Sequence, residues 1–519
     1  MGHVIGIDKG TSFVKAVVFD AAGRALGLAS ARVAVLSPEP GWHEEDPEAS
    51  WALTERVIRE AMAQSGVDPA SVMGIGIAGH MGGLWLIDGA GKPVRNAICW
   101  PDARAQALQI GLEQTGALER AFAISGNGMM PGISVMLMAW LSRHEPESLA
   151  RSRYALCAKD YLRFRLTGEI ATDPSDVSFV PGDIDARDFS PELMRLCGAD
   201  AWADRLPPVI ASEAIAGRLT PAAAVGTGLP AGIPVVTGLG DACANALGTG
   251  CVAPGQSVTV LGTSCLNSRV LDRASRQPEG MGFLFAMPFG RYLRILPNTS
   301  GTITMDWFLE SFGGPRRADG AWDFAAAEAL AGAIPRGAGG VILLPYINGS
   351  GVLAPFHDAR ARGAFFGASS QTSRDHLLRA VYEALCYSTR DCLAAMPGQP
   401  GQSGPSERLT LTGGGSRSAF WAQMFADICR VGIDVTDTAE SGALGVAMLA
   451  GAATGLWSDL EEALGATQRR AASYEPDPVA AADYDDWFGL YREVSAMSRR
   501  HFAARAALSL ADATGGQAA

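Results

Sequence analysis

An apolar run, the turn Gly-Thr-Ser and a second apolar run occur together twice in this chain, once around Gly10 and again around Gly262. The first copy is VIGIDKGTSFVKAVVFD, residues 4–20, and the second is SVTVLGTSCLNSRVL, residues 257–271. Each predicts a β-hairpin: β-branched runs flank a glycine free to take unusual turn dihedrals and hydroxyls able to bond exposed backbone. Two such turns facing each other can hold one polyphosphate between them. Asp8 stands just before the first turn, and GLGDACANALGTG (238–250) just before the second hairpin.

The length suits a duplication. At 519 residues the chain exceeds what one hydrophobic core usually organises, so two large domains are expected. Apolar residues at 48% and charged ones at 18% describe a globular enzyme-like protein and exclude a disordered or fibrous one. A net charge of −12 leaves no basic footprint for nucleic acid or an anionic membrane. An anionic ligand must then be held by local dipoles and metal. The nine cysteines are odd in number and lie in apolar stretches without CxxC or His/Cys ligand spacing, so reduced, mostly buried thiols in a cytoplasmic protein are expected. Neither a secretion signal nor an apolar run of about 18 residues is evident.

Along the chain strands alternate with helices in the α/β manner. WALTERVIREAMAQSG (51–66) has helical spacing, while VMGIGIAGH (72–80) reads as a strand and GLWLIDGAGKPV (83–94) as another strand ending in a turn. GISVMLMAWLSRHEPE is helical, and a helix in KDYLRFRLTGEIATDPSDVS (159–178) ends at Gly168 before an acidic, hydroxyl-rich loop. PAGIPVVTGLGD (230–241) delivers a buried strand into a Gly-flanked aspartate, the strand-end arrangement where ligands sit. The domain boundary is placed near 245. Further on, VILLPYINGS (341–350) reads as a strand, HLLRAVYEALCYSTRDCLAAM (376–396) as a long helix and PGQPGQSGPSE (397–407) as an exposed loop. RLTLTGGGSRSAFWAQMFADICR (408–430) runs from a strand through three glycines into an amphipathic helix, which lets backbone approach a ligand at a helix N-terminus. ESGALGVAMLAGAATG (440–455) is a helix with a small-residue face, and the C-terminus is a helix that frays into a tail.

GIDKGTSFVKAVVFD, PGWHEEDPEASW, GKPVRNAICWPDARA, KDYLRFRLTGE, GLGDACANALGTG, LLPYINGS and LTGGGSRSAFWAQMFADI with ESGALGVAMLAG stand in the order found in the FGGY carbohydrate kinases. ARGAFFGASSQTSRDHLLRAVYE (361–383) is similar to that family's C-terminal signature, with Ala368 where a larger aliphatic is usual. The resemblance spans roughly residues 4–455. It implies an α/β, two-domain duplicated actin-like ATPase fold, ribonuclease H-like, with an interdomain catalytic cleft. The domains are then 1–245 on the sugar-binding side, 246–485 on the nucleotide-binding side, and 486–519 a C-terminal helix and tail. Many such kinases are dimers, so a homodimer is an expectation too, although no apolar stripe marks its interface.

Phosphoryl transfer from ATP needs the γ-phosphate, metal and acceptor oxygen in line, with charge stabilised around them. Gly10, Thr11 and Ser12 would receive phosphate oxygens from one turn, and Gly262 with Thr263 from the other. Asp8 is the expected anchor for Mg²⁺, through waters because Mg²⁺ dehydrates reluctantly; a turn aspartate bonding its own loop is the plain alternative. Asp241 can accept the proton of a sugar hydroxyl as that oxygen attacks phosphorus, and in the resembling kinases the aspartate of this motif is the catalytic base. Its plain alternative is a helix N-cap. The resemblance assigns Gly414, Gly415 and Ser418 to the adenosine side, with Gly301 nearby and Glu440 and Ala443 supporting the wall. Lys9 and Lys15 read as solvated surface lysines on alternating strand geometry, so neither is placed against phosphate.

For the sugar, GIAGHMGGLWLID lies where glycerol kinases carry an Arg-Glu pair and D-xylulose kinases a Gln-Met-His run; here the residues are His80, Met81 and Gly82. The missing Arg-Glu pair argues against glycerol. Met81 matches the xylulose pattern, while Gly82 removes a hydrogen-bond partner. Trp100 and Asp102 resemble pocket-lining positions, with a buried core tryptophan as the plain reading of the first. The expected function is ATP-dependent phosphorylation of a terminal hydroxyl of a small open-chain sugar, a ketopentose such as xylulose or L-xylulose. The alternatives are an erythritol-type polyol kinase, an actin-like ATPase and a non-catalytic sugar sensor.

Overall fold

The apolar run at the N-terminus forms strand β1 (His3–Lys9), which turns into β2 (Phe13–Phe19) and then β3 (Ala25–Arg32). These coordinates are a computed structural model describing residues 2–179, 181–398, 408–438 and 440–515. The expected loop over 397–407 lies outside the described residues beyond 398, as do tail residues 516–519. β1 pairs antiparallel with β2 and parallel with β4 (Val72–Gly79), which makes it an inner strand, and helices packed on both faces of the sheet bury its near-continuous apolar run. Strands β5 (Ile215–Arg218) and β6 (Pro234–Val236) complete the order β5-β6-β4-β1-β2-β3, and the two-residue β7 (Leu239–Gly240) pairs beside β4.

One core joins this sheet to the helices Pro47–Ser65 and Ala158–Thr167 through Ile5, Ile7, Ile75, Ile77, Val57 and Tyr161. The first helix starts where Asp46 caps it with Pro47 behind, and stops at Gly66, whose φ of 64° is left-handed. The helix Ser441–Thr454 also packs on β1 and β4. Gly6 and Gly76 make room for it, since a Cβ on either would overlap the carbonyl oxygen of Ala443 or Val446. That approach explains the small-residue face expected over 440–455.

The chain divides into two compact units that do not follow it linearly. The first is Met1–Pro254, Val270–Arg294 and Glu440–Arg469; the second is Gly255–Arg269, Ile295–Ala439 and Arg470–Ala519. A single cut near 245 would thus leave the Ser441–Thr454 helix with the wrong partners.

In the second unit β8 (Ser257–Leu261) pairs antiparallel with β9 (Cys265–Leu271) and parallel with β10 (Arg408–Thr412), followed by β11 (Gly432–Thr436) and β12 (Arg470–Tyr474). A hairpin whose first strand pairs parallel with a later strand therefore occurs in both units, as the repeated motif implies. Neither Gly10 nor Gly262 takes a left-handed φ, contrary to expectation. The turns close by other means, in the second copy a hydrogen bond from Gly262 N to Ser264 O at 3.0 Å.

The strand within 83–94 is Trp85–Ile87 and ends in a turn, as expected, and the strand expected over 341–350 is cut short to Ile342–Leu344. The first stops because Asp88 Oδ1 accepts from the amides of Ala90 and Lys92 and curls the chain into a turn. All nine cysteines are buried and unbridged. No helix among the described residues is long and apolar enough to cross a membrane.

Candidate active site

Two carboxylates converge in the first unit. Asp8, next to last in β1, stands opposite Lys15 on β2, and its Oδ2 lies 2.7 Å from where a Cβ on Gly442 would sit, so the first turn of the Ser441–Thr454 helix lies against it. Lys15 Nζ reaches Glu440 at 2.8 Å on the other side of that turn. Burial raises the Asp8 pKa to about 6, opposed by Lys15 and assisted by Glu440. Burial raises Asp241 to about 7, with Asp8 pushing the same way and the Ala242 amide opposing. The Asp8 charge thus works against ionisation of Asp241, an arrangement that a cation beside them would relieve.

Asp241 opens the helix Asp241–Gly248, with Gly240 in the N-cap place, so its side chain is not the cap. Its Oδ1 accepts from Ala242 N at 2.7 Å, leaving acceptor capacity free. Asn245 ties this helix to the neighbouring one: its Nδ2 donates to Asp241 O at 3.0 Å and its Oδ1 accepts from Ser441 Oγ at 2.7 Å.

Around them stand the residues expected to meet the sugar. Met81 packs on Gly240, where a Cβ would come within 2.5 Å of its sulfur. His80 is 2% exposed, and neither ring nitrogen has a hydrogen-bond partner in the protein. Burial, with Lys9 assisting, holds that imidazole neutral, its pKa well below the usual value. Gly82 has a φ of 74°, and a Cβ there would lie 3.0 Å from the Phe179 ring, so this backbone suits glycine and not the histidine expected from the xylulose pattern. Trp100 is 39% exposed, not a core residue, and its Nε1 donates to Thr11 Oγ1 at 2.9 Å. Asp102 is buried and saturated: Oδ1 accepts from Arg104 N and Nε, and Oδ2 from His43 N and Arg104 Nη2.

The expectation for Lys9 is overturned. Its side chain is 0% exposed, paired with Glu45 at 3.0 Å, and donates to Gly10 O at 3.1 Å at the start of the first turn. Lys15 is 33% exposed but ion-paired, not simply solvated. Alternation along β1 puts Lys9 on one face correctly; what it cannot show is that Glu45 comes to cover that face. A second group missed in sequence lies under β7. Lys159 Nζ meets Asp160, Asp173 and Asp176 at 2.7, 2.8 and 2.9 Å, all buried. Cys157, Asp160 and Asp176 place ligand atoms within 4.8 Å of one another, but Lys159 already supplies the cation there.

In the second unit the residues expected to meet nucleotide gather at the end of β8. Gly301 N donates to Thr263 O at 2.9 Å and Thr302 N to Gly262 O at 2.7 Å, so the helix Thr302–Phe312 begins on the turn. A Cβ on Gly413 would strike the Leu261 carbonyl, and one on Gly415 the Leu261 side chain, whereas Gly414 has nothing within 4 Å. The triplet leads into the expected helix through a short turn, Gly414–Arg417, and Ser418 caps the helix Ala419–Cys429 by accepting from Trp421 N at 2.9 Å. Thr263 and Ser12 are exposed at the tips of their turns.

Duplicated hairpins, paired strand-end carboxylates and a glycine cradle are the parts of a phosphotransferase of the actin-like ATPase fold. The family models for the N-terminal and C-terminal domains of the FGGY family of carbohydrate kinases match residues 3–248 and 257–454, and the chain belongs to that family of ATP-dependent kinases. It is 34% identical to a xylulose kinase of Escherichia coli over 86% of this chain and 89% of that one. It is 30% identical to an L-xylulose/3-keto-L-gulonate kinase of the same organism, over 95% and 96%. The crystal structure of a xyloylose kinase from Brucella ovis superposes with a TM-score of 0.85 at 29% identity, covering 95% of this chain and 98% of that one.

Proposed function

We propose that this kinase transfers the γ-phosphoryl group of ATP to a terminal hydroxyl of a small open-chain sugar, a ketopentose such as xylulose or L-xylulose, with Asp241 as the general base. The observation that carries this is Asp241 itself: a half-buried residue at a helix start, its carboxyl with free acceptor capacity and a pKa that burial raises to about 7, where a base works best near neutral pH. Names of relatives support the ketopentose. The unpartnered His80 nitrogens, one able to donate and one to accept, suit a sugar hydroxyl, and Met81 and the Trp100 indole give it apolar walls. Gly82 lends shape to this pocket but no hydrogen bond. Asp102 supports the Trp100 loop through Arg104.

Asp8 fits a divalent cation, being an oxygen donor that makes no ion pair among the described residues; Mg²⁺ held there through water would neutralise charge developing on the phosphates. Thr11, already accepting from Trp100, keeps its own proton to donate to a phosphate oxygen, with Gly10 and Ser12 beside it. Gly262 and Thr263 do the same from the second unit, and Gly301, Gly414, Gly415 and Ser418 receive the nucleoside. The reaction requires both sets to act on one ATP. Unbridged thiols suit a reducing cytosol.

The test is ADP release with Mg-ATP across ketopentoses, aldoses and polyols, a tetritol among them. A ketopentose is expected to raise turnover most. Turnover no higher than basal hydrolysis with every acceptor would overturn the reading.

A further inference from the structure

We propose that Ser175 and Asp173 are positioning residues that fix the Asp241 carboxylate by gripping the backbone just before it. This rests on the reading of Asp241 as the base.

Apart from the buried Leu239, the segment Thr237–Gly240 has only Thr237 with a side chain able to hydrogen-bond, yet it must present Asp241 to within a fraction of an ångström. Its backbone groups are instead taken up one after another. Thr237 O accepts from Arg163 Nη1 at 3.2 Å, and Gly238 N donates to Ser212 O at 3.0 Å. Gly240 N, the last amide before Asp241, donates to Ser175 Oγ at 2.8 Å. Ser175 Oγ donates in turn to Asp173 Oδ2 at 2.6 Å, where Ser212 Oγ also donates at 2.7 Å. Lys159 holds the other oxygen of Asp173 at 2.8 Å.

Asp173, Ser175, Ser212 and Lys159 are all buried. Burial alone would push the Asp173 carboxyl up, but Lys159 and the two hydroxyls hold it below the usual carboxylate range, so it stays an ionised acceptor. The hydroxyl of Ser175 is therefore oriented: its proton goes to Asp173, and its lone pair faces Gly240 N. On the opposite side Gly240 is pressed by Met81, leaving no room for a Cβ. The residue before the base is held between a fixed acceptor and a side chain of the proposed sugar pocket.

Ser212→Ala supplies the matched control, for it removes a buried hydroxyl from the same carboxylate without touching Gly240 N. Steady-state kinetics on Ser175→Ala, Ser212→Ala, Ser175→Thr and Asp241→Asn test the inference. Ser175→Ala is expected to lower kcat by on the order of 10- to 100-fold with the Michaelis constants unchanged. Ser212→Ala should lower kcat far less at a similar loss of Tm, and Ser175→Thr, which keeps the hydroxyl, should recover most of the rate. Equal kcat for Ser175→Ala and Ser212→Ala, while Asp241→Asn is inactive, would overturn this inference alone. Full activity of Asp241→Asn would overturn the base assignment and this inference with it. Amide hydrogen exchange on the unaltered protein gives a reading independent of how the variants fold: the Gly240 amide should exchange slowly, and exchange at an exposed-loop rate would overturn the proposal.

Discussion

Asp241 and Asp8 show how much a residue's chemistry depends on what surrounds it. A carboxyl raised to about 7 or about 6 binds its proton more tightly in the folded chain than in the unfolded one, where it ionises near 4. Each therefore costs stability as pH rises through that interval, and the cost persists above it. Asp8→Asn is expected to raise the Tm of the ligand-free protein at about pH 8 and leave it unchanged near pH 4; thermal melts at the two values check the sign. Asp241→Asn should behave likewise in melts while losing ~10²–10⁴ in kcat, read by coupled ADP release. Lys9 gives a contrasting case. Lys9→Met strands a buried Glu45 and is expected to cost about 3–5 kcal/mol, whereas Lys9→Met with Glu45→Leu should recover most of it; urea unfolding of the three variants decides.

Among the elements, glycine positions separate packing from ligand approach. The Ser441–Thr454 helix lies on β1 and β4 only because Gly6 and Gly76 present bare backbone, and Gly248 does the same against Ser441. Gly6→Ala should push this helix off the sheet, destabilising the protein by ~1–3 kcal/mol or more and displacing Gly442 from Asp8. At Gly414 the surroundings are empty. Gly414→Ala is expected to leave the Tm unchanged yet raise the KM for ATP, because only a ligand would meet the added methyl. An unchanged KM would remove Gly414 from the nucleotide site.

Over the whole molecule, the path of the chain matters as much as its elements. The first compact unit closes only when residues 440–469 return to it. A fragment ending at residue 254 should therefore expose the glycine-lined face of β1 and β4 and fail to fold cooperatively. Adding the 440–469 segment through a flexible linker should restore a two-state melt, which circular dichroism would record. With a net charge of −12, the anionic ATP gains nothing from the global field, so its affinity must come from local groups at its site.

The repeated hairpins, the strand-end aspartates and the Gly-rich turn at 413–415 were legible because each is local. A turn, a period-2 run and a cap are written within a few residues, and physical chemistry acts on them at that range. The family resemblance extended this to the pairing of domains. Other features had no local signature. Lys9 and Lys159 look like any lysine until Glu45, or Asp160 with Asp173 and Asp176 of the following loop and helix, enclose them, and Asp102 reads as a pocket residue until Arg104 and His43 saturate it. The sequence by itself determined which groups could do the chemistry and where along the chain they stand. Only the tertiary structure decided which of them lose their water and which acquire partners, because desolvation and ion pairing depend on segments that the fold brings together from elsewhere in the chain, as Lys15 meets Glu440.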